Sequence, residues 1–443
     1  MALEAAHGAV HDTVRRLVCL VDSREDGHHP MYAAIYARAF LELGCDVMLV
    51  ACPALLAALP SVVEGGAVQG ALTTVPWAVP AGLSTGVRTE IRAARLWESL
   101  GTTVDASARE IGRYPTLIVH LWFDDFVAET LPYHAVHGRI RCPFGGLWFQ
   151  PPTRLPSSWR EAAKRLLRWG RRYRVLRGNR CAGILVFDAA RVGPLSGIGR
   201  TVVFEVPEVS TSLLPRHEPD LVAEIRRMAA GRSVYSVVGA LEERKGLAAF
   251  LDAVEAAPAE EWLFVMVGRL VAGGIGAETR RRIERLSTGP RPRLLFQDRW
   301  LEDDVLNAVV ACSSLVHVYY YDWPFSTNML CKAAAHRVPV SGGAKGYIGR
   351  MIREYGLGFT VASSAELATR FRRGFSAEVS AFARAETFRD GCDRYAAANN
   401  AAALKDVLAR LLEQACVSHR QARPGVAGAA RRDPGGSPAH HAS

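Results

Sequence analysis

Ser233-Val234-Tyr235-Ser236-Val237-Val238-Gly239-Ala240-Leu241-Glu242-Glu243-Arg244-Lys245-Gly246-Leu247 begins as a largely apolar run and ends in the first turn of a helix. Short apolar runs closed by glycine read as strands buried on both faces. Gly239 ends this one, and Leu247, Phe250, Leu251 and Val254 then recur at helical spacing. A glycine turn at the carboxyl end of a parallel strand lets backbone approach a ligand closely. The N–H groups opening the next helix favour an anion there. Lys245 adds a point charge suited to phosphate. A surface loop with a solvated Arg244-Lys245 pair accounts for these residues equally well.

The same alternation continues on both sides. Downstream, strands are expected at 262–267, 293–297, 315–320 and 338–341, with helices at about 246–256, 276–286, 301–310, 327–336 and 346–355. Upstream, Leu17 to Val21 is a strand, 31–43 a helix closed by Gly44, and 46–51 the next strand. A helix over 89–110 and strands at 116–121, 139–149 and 182–187 complete a first sheet. Strands alternating with helices imply two open, mostly parallel sheets with helices on both faces. Two prolines and few helix formers put the interdomain linker between Val203 and Pro215. The chain divides into 1–210, 211–385, a closing helical stretch 386–416, and an Arg/Gly/Pro-rich tail 417–443 expected to be disordered.

Composition excludes several classes. The chain has 443 residues, 49% hydrophobic and 22% charged, which is globular. No apolar run reaches the roughly 18 residues of a membrane span, and no secretory signal is evident, so a cytoplasmic protein is expected. Nine cysteines form no C-x-x-C pair, so they read as buried reduced thiols. The net charge of +10 is uneven: 154–180 holds ten Lys/Arg against one Glu (net +9), 417–443 four Arg against one Asp (net +3), leaving −2 elsewhere. That argues against nucleic-acid binding by the whole protein. Within the basic segment, Ser158 to Leu176 reads as a capped amphipathic helix, with Trp159, Leu166, Trp169, Tyr173 and Leu176 on one face. Its arginine face fits an anionic membrane surface, a phosphate ligand, or plain solvent.

Several motifs occur in order over about 233–361. Gly239 to Gly246 is followed by a strand ending at Gly268, by Leu294-Leu295-Phe296-Gln297-Asp298, and by Glu302-Asp303-Asp304-Val305-Leu306. Then come the strand from Leu315 and an Ala-rich helix running from Lys332 to Pro339-Val340. This series resembles the donor half of GT-B-fold glycosyltransferases, in particular the retaining glycosyltransferase family 4. The resemblance is weaker over 15–215, where Gly27-His28-His29 and Tyr32 look like the opening loop of the acceptor domain. It implies two Rossmann-like domains facing across a crevice. It also implies transfer of a sugar from a nucleotide-diphosphate sugar, UDP- or GDP-linked, to a glycan, lipid-linked or small-molecule acceptor. Lys245 would hold the diphosphate, with Gly239 and Arg244 beside it. Ser326, Thr327 and Asn328 would cap a helix start near phosphate, or serve purely as a cap. Gly27, His28 and His29 would line the acceptor side.

Two departures stand out. Aligned on Pro339-Val340, the paired glutamates of the family fall on Pro324 and Lys332, and the usual glycine before Pro-Val is replaced by Arg337 and Val338. Lys332 would then put a positive charge at the donor site. The lost glutamates keep a second reading open: a catalytically silent relative that binds nucleotide or serves a partner transferase. A sugar-nucleotide epimerase is a third, for which no catalytic carboxylates can be placed. His120, at the end of a first-domain strand, matches a family histidine that contacts the donor sugar, although a lone histidine is more often structural. Asp124 and Asp125 are acid/base candidates or a solvated pair. No Asp-x-Asp occurs, so neither a metal nor a separate cofactor is expected.

Overall fold

The computed structural model describes residues 15–24, 27, 29–59, 70–80, 89–128, 131, 134–151, 173–178, 180–196, 201–288, 292–321 and 323–422. His28, 154–172 and 179 of the basic segment lie outside the described residues, as does the tail beyond 422.

The first sheet contains β1 (Leu17–Asp22), β2 (Asp46–Ala51), β3 (Leu72–Pro76), β4 (Leu117–His120), β5 (Phe144–Leu147), β6 (Cys181–Val186) and β7 (Val203–Glu205). They are parallel, in the order β3-β2-β1-β4-β5-β6-β7. The second contains β8 (Ser233–Val238), β9 (Trp262–Gly268), β10 (Leu294–Asp298), β11 (Leu315–Val318), β12 (Val340–Gly343) and β13 (Gly358–Val361). It too is parallel, in the order β10-β9-β8-β11-β12-β13. Strand order reverses between β1 and β4 and again between β8 and β11. Outside the carboxyl ends of such strands a doubly wound sheet opens a crevice for ligand.

Each sheet is buried on both faces, as its apolar strands require. One face of the first packs on helix His29–Glu42 and the other on helix Thr89–Ile111, through Leu96, Trp97, Leu100 and Val104. Helix Ala401–Ala422 returns to the first domain and seats Leu404, Val407, Leu408, Leu411 and Leu412 in the same core as helix His29–Glu42. The stretch 386–416 therefore belongs in part to the first domain's core, and its helix runs past 416 to Ala422. The linker follows β7: Val206 and Val209 are still part of the first core, and helix Asp220–Ala229 opens the second.

The basic segment departs from expectation at its described end. Tyr173 takes a left-handed backbone, φ 49, which interrupts a right-handed helix, and Arg174–Arg177 is a short 3-10 turn. Val175 and Leu176 are buried in the first core. All nine cysteines are unpaired, six of them buried. Among the described residues no helix is long and apolar enough to cross a membrane.

Candidate functional site

Lys245 lies just past the carboxyl end of β8, at the point where strand order reverses. The chain leaves Val238 through Gly239 (φ +90), makes a 3-10 turn over Glu243–Lys245 and enters helix Leu247–Ala256 through Gly246. Gly246 has φ +71, and a Cβ there would lie 1.9 Å from the Tyr319 carbonyl oxygen, so no other residue fits without moving β11's exit. The Lys245 ammonium folds back over the turn, donates to the Val238 carbonyl at 2.5 Å and lies beside Gly239. It is 8% exposed. Burial, with the Arg244 charge next to it, pulls its pKa down to about 8, and Glu242 opposes that shift. A cation so weakly solvated gains from an arriving anion.

Two residues that sequence reasoning passed over hold this turn. His317 on β11 is buried, and burial lowers its pKa to about 3, so its ring is neutral. Nε2 donates to the Lys245 carbonyl at 3.1 Å, which leaves Nδ1 to accept the Tyr235 hydroxyl at 2.5 Å. A histidine inside an apolar strand and a tyrosine on its neighbour carry no local signal; only sheet pairing brings them together.

The other expected donor-side residues separate. Arg244 is held by its own neighbours. Its Nε donates to Glu242 at 3.0 Å and its guanidinium lies 4.1 Å from the Trp323 ring centroid. Thr327 is buried and caps helix Met329–Ala335: its hydroxyl lies 3.4 Å from the Met329 amide and 3.2 Å from the Tyr320 hydroxyl. Asn328 is buried beside it, and its side chain makes no cap bond. Ser326 lines the interdomain cavity.

Lys332, expected to put a positive charge at the donor site, is engaged within the protein. Its ammonium is fully buried and donates to Asp303 at 2.7 Å, Asn307 at 2.8 Å and the Thr211 carbonyl at 3.1 Å. It ties the Ala-rich helix to helix Asp303–Ala311 and to the linker. Cys331, one residue back, faces the linker instead and donates to the Glu208 carbonyl at 2.8 Å. Arg337 holds a left-handed φ of 52 where the resemblance expects glycine nearby.

On the acceptor side, β4 ends at His120 as expected, and the ring packs among aromatic side chains. It is completely buried, 4.7 Å from Trp97 and 4.1 Å from Phe126, centroid to centroid, and burial holds it near pKa 3. Among the described residues neither ring nitrogen meets a hydrogen-bond partner. Asp124 is a loop clamp: its two oxygens accept the Phe149 amide at 2.9 Å and the Gln150 amide at 2.8 Å. Burial raises it to about 6, against the pull of those amides. Asp125 pairs with Arg24 at 3.0 Å and Arg92 at 3.2 Å. Gly27 sits exposed at φ +65 ahead of the first helix. His29 opens that helix, with Nδ1 2.9 Å from Asp22.

The two domains meet around a narrow cavity of about 10 Å³ lined by Trp148, Phe149, Phe187, Asp188, Arg191, Phe325 and Ser326, among others. Arg350 of the second domain pairs with Asp188 of the first at 2.5 Å across this seam. Among the described residues no group of His, Cys, Asp and Glu could hold a metal ion.

No family model and no curated protein sequence matches this chain. Solved structures do match over nearly its whole length. Sucrose-phosphate synthase from Thermosynechococcus elongatus is 17% identical, with a TM-score of 0.63 over 91% of this chain and 100% of that one. A glycosyltransferase from Rickettsia africae is 10% identical, with a TM-score of 0.62 over 91% and 99%. HepE from Anabaena, in complex with UDP and glucose, is 14% identical, with a TM-score of 0.59 over 90% and 100%. With two parallel Rossmann-like sheets joined through one linker and a returning last helix, the chain has the GT-B fold.

Proposed function

We propose that the protein transfers a sugar from a nucleotide-diphosphate sugar, bound at the second domain, to an acceptor held by the first. The observation that carries this reading is the Lys245 ammonium, partly desolvated beside a glycine turn where β8 and β11 diverge. The main demand in such a transfer is stabilising charge on the departing diphosphate, and a preorganised cation in a dry crevice meets it. The UDP and glucose held by the Anabaena protein support a uridine-linked donor. The absence of Asp-x-Asp supports metal independence, and the resemblance of the donor half supports retention.

A thermal-shift screen of UDP, GDP, ADP and their sugars, followed by nucleoside-diphosphate release with glycan, lipid-linked and small-molecule acceptors, tests the reading. A ligand at 100 times its Kd stabilises by roughly 2.7 kcal/mol. Lys245→Ala should weaken diphosphate binding by roughly 1.5–3 kcal/mol, the scale of a charged hydrogen bond. Unchanged affinity on a folded variant removes Lys245 from the site. A second reading, a silent partner subunit, is favoured by the locking of Lys332 into the linker and of Arg244 against Trp323. It wins if nucleotide binds without turnover and a co-purifying transferase needs this chain.

A further inference from the structure

We propose that the first domain carries a second ligand site, for a phosphorylated polyol, at the edge of its sheet opposite the crevice. The strands of that sheet are parallel, so the residues leading into them collect on one edge and the crevice opens at the other. Arg113 and Tyr114 lead into β4, and Arg141 leads into β5 beside it. With Asp105 and Arg109, from the last two turns of helix Thr89–Ile111, they line a cavity of about 530 Å³, a size that suits a small molecule. Six residues carry the chain from Tyr114 to His120 at the crevice end of β4, about 20 Å at roughly 3.3 Å per extended residue. A ligand held here does not share the crevice, and the proposal does not depend on the transferase reading.

Three arginines against one aspartate give the lining a net charge of +2, whereas the chain outside its two basic segments carries −2. Arg113 is committed to the fold: it pairs with Asp46 and donates to the Arg15 carbonyl at 2.9 Å. The other two keep donors for a ligand. Arg109 Nε donates to the Asp105 carbonyl at 3.1 Å, which anchors the guanidinium, and its terminal nitrogens meet no partner among the described residues. Arg141 makes a 3.7 Å ion pair with Asp105 Oδ2, too long for a hydrogen bond. Two guanidinium forks on one cavity fit the oxygens of a phosphate group. The rest of the ligand is read from two buried atoms. The Tyr114 hydroxyl and Asp105 Oδ1 have no hydrogen-bond partner among the described residues, and an unsatisfied polar atom in a cavity wall is a place for a ligand group. Burial, with Cys142 and Asp105 near it, raises the Tyr114 pKa, so the hydroxyl keeps its proton. A hydroxyl beside a carboxylate matches alcohol groups, which both give and take hydrogen bonds, whereas a bare phosphate leaves Asp105 unmatched.

Calorimetry on the full chain with a hexose 6-phosphate, the free hexose, inorganic phosphate and phosphatidylglycerol vesicles tests the site. The hexose phosphate or the phosphoglycerol headgroup of the vesicles should bind, and which of them does says whether the ligand is free or lipid-borne. Inorganic phosphate should bind more weakly and the free hexose not at all. The double variant Arg109→Gln, Arg141→Gln should weaken the phosphorylated ligand about tenfold or more, the scale of lost charged hydrogen bonds. Arg109 is exposed and the Arg141 side chain is 77% exposed, so the first core keeps its packing, which an unchanged urea midpoint certifies. Tyr114→Phe should weaken the phosphorylated ligand severalfold and leave inorganic phosphate within twofold. Affinity unchanged in the double variant places the ligand in the crevice or on the basic segment and overturns the proposal. So does inorganic phosphate binding as tightly as the hexose phosphate with Tyr114→Phe silent, and so does the failure of both phosphorylated ligands to bind the wild type.

Discussion

The Lys332 ammonium has three N–H donors, and Asp303, Asn307 and the Thr211 carbonyl take all three within a fully buried site. A cation withdrawn from water in this way is tolerated only because every donor is matched. Sequence alignment points it at the donor sugar, whereas coordination points it at the hinge. Removing it leaves Asp303 and two uncharged oxygens facing a void. Asp303 is 39% exposed and recovers some water, so Lys332→Met should cost about 3 kcal/mol, the lower end for breaking a buried pair. Urea midpoints would show it. Calorimetry on the same variant should give nucleotide-diphosphate affinity within twofold of wild type. A tenfold loss of affinity would return Lys332 to the nucleotide site.

At the scale of elements, the helices with clear apolar periodicity fall close to where their residues imply: His29–Glu42, Thr89–Ile111, Leu247–Ala256 and Gly346–Tyr355. What escapes is short or at an edge. β3 exposes both Thr73 and Thr74 and ends in proline, β7 has three residues, and β13 starts at a glycine. None of these has the continuous apolar run of a central strand. Of the site, the Lys245 turn was legible because glycine, lysine and a following helix are contiguous. Lys332 was not, because neighbouring residues on a helix point about 100° apart and only the packed structure says which one faces the crevice. The attachment of the last helix was equally hidden, since its partners are some 200 or more residues away. That attachment yields a prediction: Leu411→Ala should cost about 2–5 kcal/mol, the range for a core leucine, and loosen hydrogen-exchange protection in β6, on which the helix packs. A loss below about 1 kcal/mol would mean that the helix is not part of the first core.

At the scale of the whole molecule, Glu208 sits where both domains, the linker and the C-terminal helices converge. Tyr32 of the first helix donates to its Oε1 at 3.3 Å, and Ser326 of the second domain lies close enough to favour the charged form. Its amide donates to Asn399 at 3.0 Å, while Oε2 is buried with no partner among the described residues. Burial outweighs the opposing pull of the Ser326 and Tyr32 hydroxyls and pushes the carboxyl from 4.5 up to about 8. Between those two pH values the folded protein holds a proton that the unfolded chain has released. Stability from this group is therefore complete below about 4.5, declines as pH rises and is gone above about 8. At about 1.4 kcal/mol per pH unit, the whole decline is at most about 4–5 kcal/mol, and less if the domains part to admit water. Glu208→Gln cannot ionise and keeps an oxygen for Tyr32, so its stability should lack that decline. Urea midpoints of the two proteins should converge at low pH and separate as pH climbs, with the Gln variant ahead. Small-angle scattering should show the wild type opening over the same interval while the variant stays closed. Parallel stability curves would mean that Glu208 reaches water at the hinge and that the domain seam carries no buried proton.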